Sequence, residues 1–183
     1  MVSRNRRSEG VTATTATAPA TADRVFDFDA LYRESRDDVF AYAATLLRDG
    51  AAAEDVTAMA FERAYRKRSR FDARRGSPRA WLFGIARNAA LDELRRRPRA
   101  ATAPIPGPLH EPGPDEVAER AAERDAVRAA LATLGARDRE LIALKYHADL
   151  SHAEIAEVVG VSVSNAGTLL NRALNKLREA LDA

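Results

Sequence analysis

Residues 151–181, SHAEIAEVVGVSVSNAGTLLNRALNKLREAL, restrict the possible folds more than any other stretch of this chain. Ser151 and Glu154 make an S-x-x-E pair, whose two side chains satisfy free amides at a helix start, so a helix begins there. Ala153, Ile155, Ala156 and Val159 supply its apolar stripe. Gly160 can close it in a left-handed cap, and Ser162 can open a second helix two residues later. So short a link makes the helices cross steeply, which is the geometry of a helix-turn-helix. Along the second helix Ala166, Leu170, Ala173, Leu174, Leu177 and Leu181 should be buried. Asn165, Thr168, Leu169, Arg172 and Lys176 lie on another stripe, the one that would enter a DNA major groove. A helical hairpin packed in a bundle has the same periodicity, so the pattern alone leaves both readings open.

Charge is distributed unevenly. The net charge of the 183 residues is only +2, yet residues 63–99 hold thirteen Lys or Arg against three acids. Residues 24–62 carry four Arg and nine acids, and residues 100–183 carry nine basic and thirteen acidic residues. A GC-rich codon bias can explain arginine in place of lysine, but it does not explain clustering. A basic block between two acidic ones is a plausible footprint for a phosphate backbone. Cysteine is absent, so no disulfide framework, thiolate metal site or thiol nucleophile is available, as suits a reducing cytoplasm. No apolar run approaches the about 20 residues of a membrane span. Arg6-Arg7 is followed by VTATTATAPATAD, too polar for an export signal core, so a cytoplasmic protein is expected. Residues 1–23, rich in Ala and Thr, are expected to be disordered.

Everything outside the termini and one linker reads as helix. Asp29 can cap a helix with Leu31, Tyr32, Val39, Ala43, Leu46 and Leu47 inward, ending near Gly50. A second, from about residue 52 to 67, carries Val56, Met59, Ala60, Phe61, Ala64 and Tyr65. Ser77-Pro78 starts a third, with Leu82, Ile85, Ala86 and Ala89 inward and Asn88, Asp92 and Arg95 on another face. Residues 98–115, PRAATAPIPGPLHEPGPD, hold six prolines and two glycines and should form an extended tether. Two more helices, over 117–134 and 137–147, precede the helix-turn-helix. No alternating strand pattern occurs, so the fold class is all-α.

Three stretches in order resemble the RNA polymerase sigma factors of the sigma-70 family, in the extracytoplasmic-function (ECF) subfamily. FDALYRESRDDVFAYAATLLRDGAAAEDVTAMAFERAYR (28–66) resembles the start of the first conserved domain. RFDARRGSPRAWLFGIARNAALDELRRR (70–97) resembles its promoter-melting half, with W-L-x-x-I-A-R-N at Trp81 to Asn88. LATLGARDRELIALKYHADLSHAEIAEVVGVS (131–162) resembles the second domain. The resemblance implies two small helical domains: region 2 over 24–97 and region 4 over 116–183, joined by the 98–115 linker.

The resemblance also implies roles. Glu54, Asp55, Ala58 and Phe61 would belong to the surface that docks on the clamp helices of the polymerase's largest subunit. Phe71, Arg79, Arg87, Asn88, Arg95, Arg96 and Arg97 would open and hold the −10 promoter element. That task calls for stacking surfaces, an amide and arginines together. The Arg95–Arg97 run suits backbone positioning rather than sequence reading. Ser164, Asn165, Thr168, Leu169, Arg172 and Lys176 would contact the −35 element, with the second domain also touching the polymerase flap. An anti-sigma factor is an expected partner. The chain departs from the family at Ala58 and Met59, where Gln and an acid are usual, and at Gly167 and Leu169, where cations are common. The second departure implies weaker or altered −35 binding.

The residues offer no enzymatic site. His110 lies in the linker and His147 and His152 flank a helix turn, where capping and solvation are their ordinary roles. No phosphate-cradling glycine loop, metal-spaced ligand set or nucleophile elbow occurs, and no cofactor is expected. Adjacent acids such as Asp37-Asp38 do not face each other on a helix. Two other readings stay open: a stand-alone helix-turn-helix regulator, and a polymerase-binding module that reads no promoter.

Overall fold

The structure, a computed structural model, describes residues 26–96 and 117–182. Among them are seven α-helices and no strand, so the all-α expectation holds. They are α1 (Phe28–Leu47), α2 (Gly50–Lys67), α3 (Pro78–Arg96), α4 (Val117–Thr133), α5 (Ala136–Tyr146), α6 (His152–Val159) and α7 (Val163–Leu181). Short 3₁₀ turns at Arg68–Arg70 and Ala73–Arg75 fill the link between α2 and α3. The expected N-terminal extension, the linker, Arg97 and His110 lie outside the described residues.

Caps set most boundaries. Asp27 rather than Asp29 caps α1, accepting from the amides of Asp29 and Ala30. The α1–α2 junction is tighter than Gly50 suggested, because Arg48 itself takes the left-handed position (φ 55°) and Asp49 caps α2 at once. Ser77 accepts from the Ala80 amide at 3.1 Å and starts α3. The capping box at Ser151 and Glu154 forms in both directions. Gly160 closes α6 at φ 74°, a left-handed conformation that needs no Cβ relief in glycine, and Ser162 caps α7.

Helices α1, α2 and α3 pack on one another around Val39, Tyr42, Leu82 and Phe83, none measurably exposed. Leu141, Leu144, Leu150, Ile155 and Leu170 form the interior of the second half. The two interiors are continuous, because α1 packs against α5 and α3 against α6. Tyr32 and Tyr65 depart from the expected inward set, at 42% and 52% exposed. They edge an aromatic row, Tyr32 on Phe61 at 4.8 Å and Phe28 on Tyr65 at 5.3 Å. Ala153 faces solvent, and Leu181 is 44% exposed in the last turn of α7, which is longer than the α5 and α6 it packs on.

Gly167 sits in the interior of α7, where a Cβ would meet His152 Nδ1 at 3.7 Å, an ordinary contact. Gly167→Ala should therefore stabilise the chain by about 0.5–1 kcal/mol through helix propensity. Thermal unfolding should show a raised midpoint; a lowered one would mean that α7 must bend there.

Candidate functional site

The residues singled out by sequence fall on four surfaces. On α2, Glu54, Asp55 and Ala58 are exposed along one face. Phe61 is 6% exposed and supports that helix from beneath, through its edge contacts with Phe28 and Tyr32. The face is thus a short acidic strip on an aromatic underlayer.

The second surface is a cavity of about 380 Å³ where α3 meets the 3₁₀ link. Trp81, Gly84, Ile85 and Asn88 line it from a single face of α3, at spacings of three and four residues. Lys67, Arg70 and Arg75 bring cations to it, with Asp72 among them. Phe71 is 7% exposed, with Phe26 at 5.1 Å and Trp81 at 5.5 Å, so its ring is part of the wall rather than a free flap. Asn88 is exposed, with its amide open to a ligand. Gly76 turns the chain into α3 at φ 148°, a conformation open to glycine and strained for other residues. Farther along α3, Arg95 is 3.2 Å from Asp92 and Arg96 is 3.7 Å from Glu93. Such exposed pairs are weak and separate readily for a phosphate.

Arg79 and Arg87 are elsewhere. Arg79 donates through Nε to the Ala148 carbonyl at 2.6 Å and through Nη2 to the His147 carbonyl at 3.1 Å. The same guanidinium reaches Asp38 at 2.6 Å and Ser35 Oγ at 3.1 Å. Arg87 pairs with Glu140 at 2.6 Å, their side chains 22% and 9% exposed. Both arginines therefore bridge the first three helices to the second half. Tyr42 lies against the Arg87–Glu140 pair; burial pushes its hydroxyl pKa well up, and the Glu140 carboxylate adds to that. His147 is also part of this junction, not solvated at a turn: its Nε2 is 3.3 Å from Thr45 Oγ1, and burial lowers its pKa, with Asp38 opposing in part.

Two carboxylates of α6 complete the junction. Ser77 Oγ donates to Glu154 at 2.5 Å. Burial alone would raise the Glu154 pKa, but the Ser77 and Ser151 hydrogen bonds, with Arg79 nearby, hold it below the usual range. Glu157 Oε2 lies 3.0 Å from where a Cβ on Gly76 would be, and Glu157 and Val158 line the Asn88 cavity.

On the fourth surface, Ser164, Asn165, Thr168 and Arg172 are exposed along α7. Thr168 Oγ1 donates to the Ser164 carbonyl at 3.0 Å. Leu169 is half-buried and packs against the core, and Lys176 is held by Asp138 at 2.6 Å. Among the described residues, this face presents Arg172 and several small polar groups. Among the described residues there is no cluster of His, Asp and Glu suited to a metal ion, and no helix long and apolar enough to cross a membrane.

The junction was missed in sequence, although a signal existed. Glu140 is in register with Leu144 and Ala148, both wholly buried, and Arg79 with Phe83 and Ala86. A charge on a buried stripe at i, i+4 implies a partner arriving from another element. Which partner it would be is not written in the local pattern.

Comparison with known proteins matches residues 31–100 to sigma-70 region 2 and residues 124–177 to sigma-70 region 4. The ECF RNA polymerase sigma factor SigL of Mycobacterium tuberculosis is 34% identical over 155 residues, covering 83% of this chain and 87% of that protein. SigK of Mycobacterium ulcerans, also an ECF RNA polymerase sigma factor, is 31% identical over 155 residues, covering 79% and 80%. Among solved structures, CnrH in complex with the cytosolic domain of CnrY matches with a TM-score of 0.63 and 27% identity, covering 85% of this chain and 87% of that one. The sigma factor RpoE from Bartonella quintana, solved with the anti-sigma factor NepR, shares the fold with a TM-score of 0.71 at 24% identity, covering 86% and 98%.

Two outcomes follow from the junction. Glu140→Ala strands Arg87 in a buried setting and should cost about 3 kcal/mol or more, whereas Arg87→Met with Glu140→Leu should recover most of that loss. Denaturant unfolding of the three variants measures it, and equal losses in the single and double variants would contradict a paired role. His147 has a folded pKa below its ordinary 6.5, so the unfolded chain binds more protons at low pH. Its contribution is complete above pH 6.5 and is lost as pH falls toward the depressed folded value. The thermal midpoint should drop over that range less steeply in His147→Gln than in the wild type; parallel curves would contradict it.

Proposed function

The chain belongs to the sigma-70 family of RNA polymerase sigma factors, in its extracytoplasmic-function group, and we propose that its exposed surfaces divide promoter-specific initiation among them. As a sigma factor it binds core RNA polymerase and directs initiation; the bond-making chemistry is the polymerase's. Residues 24–97 are read as the polymerase-docking and −10 domain, 98–115 as the tether, and 116–183 as the −35 domain.

One observation carries the −10 assignment: Asn88 is open to solvent above a cavity walled by Trp81 and Phe71 and ringed by Lys67, Arg70 and Arg75. A base leaving the duplex needs a surface to stack on, an amide to read its edge, and cations for the displaced backbone. The cavity has all three. Arg95 and Arg96, with Arg97 beyond the described residues, would extend the cationic path along the strand. Arg79 and Arg87 would join it only once freed from Asp38 and Glu140.

The acidic strip of Glu54, Asp55 and Ala58, held up by Phe61, is the face proposed for the polymerase clamp helices. On α7, Asn165, Thr168 and Arg172 supply the −35 contact, with Ser164 at its start. Leu169 is engaged in packing and Lys176 in its ion pair with Asp138, so electrostatic attraction to the duplex is low. An anti-sigma factor is the proposed regulatory partner: RpoE was solved bound to the anti-sigma factor NepR, and CnrH bound to the cytosolic domain of CnrY.

Run-off transcription with purified core polymerase tests the assignment. Initiation should depend on this chain and fall about tenfold or more with Asn88→Ala, the size of one lost base contact. In footprints Arg172→Ala should weaken −35 protection, and unchanged protection would count against α7 as the −35 contact. Duplex binding without initiation would favour a stand-alone regulator, and polymerase binding without initiation a docking module.

A further inference from the structure

We propose that Asn171 of α7 reads an adenine of the −35 element, a base contact that stands in for the cations absent from this helix. The inference rests on the reading of α7 as the −35 helix and names what that helix recognises.

Ser164, Thr168, Asn171 and Asn175 are exposed, and their spacing of three and four residues puts them on one face. That face lies opposite Ala166, Leu170 and Ala173, which are buried. A helix lying in a major groove meets base edges with residues so spaced. Most polar groups near this face are already engaged. Thr168 Oγ1 donates to the Ser164 carbonyl at 3.0 Å, and Asn175 Oδ1 accepts from Arg178 at 2.8 Å. Lys176 is held by Asp138, and Leu169 packs against the core. Among the described residues no side chain engages the Asn171 amide, so its carbonyl and its NH2 are both open to a ligand.

The surroundings of Asn171 suit a close approach. Side chains on a helix lean toward its N-terminus, so Asn171 lies over the turn that holds Gly167 and Thr168. An asparagine amide sits on a short stem and touches a base edge only when the helix backbone comes near the groove floor. Gly167 brings no side chain to that turn, and a Cβ there would meet the His152 ring at 3.7 Å and nothing closer. Ser164 and Thr168 are small as well. A long cation at position 167 would reach the bases itself and hold Asn171 away from them. The glycine is thus the condition under which a short amide can read the groove.

The amide also decides which base it takes. Adenine presents N7 as an acceptor and its N6 amino group as a donor in the major groove, and an asparagine amide matches both at once. Guanine presents two acceptors, N7 and O6, so Asn171 Oδ1 would face O6 with no proton between them. Thymine and cytosine offer one group each, and neither engages both ends of the amide. Discrimination here comes from hydrogen bonds, on a face with few cations.

The test uses the full chain with core polymerase and run-off transcription from promoters whose −35 element is randomised and whose −10 element is fixed. Wild type should favour adenine at one −35 position. Asn171→Ala should lose the preference there and keep those at other positions, with transcription of the favoured promoter down about tenfold, the size of one bidentate base contact. Asn171→Arg should move the preference to guanine. Replacing that adenine by 7-deazaadenine, which lacks the N7 acceptor, should weaken wild type several-fold and leave Asn171→Ala unchanged. Asn175→Ala, a change on the same face at a side chain already engaged by Arg178, should keep the adenine preference. Asn171 is exposed, so thermal midpoints of its variants should match wild type.

An adenine preference that survives Asn171→Ala, or a 7-deazaadenine promoter that works as well as the natural one, overturns the contact. If Arg172→Ala still weakens −35 protection, the −35 assignment of α7 stands without it. A guanine preference that disappears in Asn171→Ala overturns the adenine reading as well. Absence of any −35 preference, with footprints indifferent to both Asn171→Ala and Arg172→Ala, removes α7 as the −35 helix and the inference with it.

Discussion

Arg79 makes four hydrogen bonds across the junction, and the arrangement of the two halves turns on them. The end of α5 presents carbonyls that have no partner within the helix and that carry the negative end of its dipole. A cation there is favoured, and only a guanidinium has enough donors in a fixed fork to bond two such carbonyls while also meeting Asp38 and Ser35. A lysine in the same place would satisfy one or two of these groups and leave the rest buried without partners. Because Asp38 and Ser35 lie on α1 and Arg79 on α3, this one side chain joins three helices from two domains.

That junction changes the meaning of the charge pattern. A basic segment between acidic ones reads first as a surface for nucleic acid, and the exposed Arg70, Arg75 and Arg95 fit that reading. Arg79 and Arg87 show that part of the positive charge is answered by the chain's own acids. Asp38 comes from the acidic segment before the basic block, Glu140 and Glu154 from the one after it. Intramolecular pairing and DNA binding then compete for the same side chains, and such competition makes a binding surface conditional.

Local signals in the sequence carried the secondary structure well. The Ser151–Glu154 box, the Gly160 and Ser162 caps and the Ser77-Pro78 start all act over a few residues, and all stand where the pattern placed them. Cap residues one or two positions apart are harder to tell from one another, hence Asp27 in place of Asp29. Long-range partners were beyond reach. The i, i+4 register of Glu140 with Leu144 marks a buried charge but is silent about Arg87, fifty-three residues earlier. His147 was misjudged for the same reason: a histidine next to a turn is ordinarily solvated, and only the arrival of α1 and Thr45 buries it. At the cavity, Asn88 stood apart from the inward stripe in the sequence, whereas Ile85, expected inward, lines the cavity with Trp81 and Gly84, and the covering by Glu157 and Val158 has no local signal.

The distance between the two domains tests this account most directly. The chain has no cysteine, so Glu34→Cys and Glu179→Cys, both at exposed positions on opposite sides of the junction, allow a pair of spin labels to be placed without other changes. Pulsed electron-spin distance measurement on the free chain should give one narrow population matching the structure. A broad distribution would contradict the claim that the Arg79 junction sets the arrangement of the two halves.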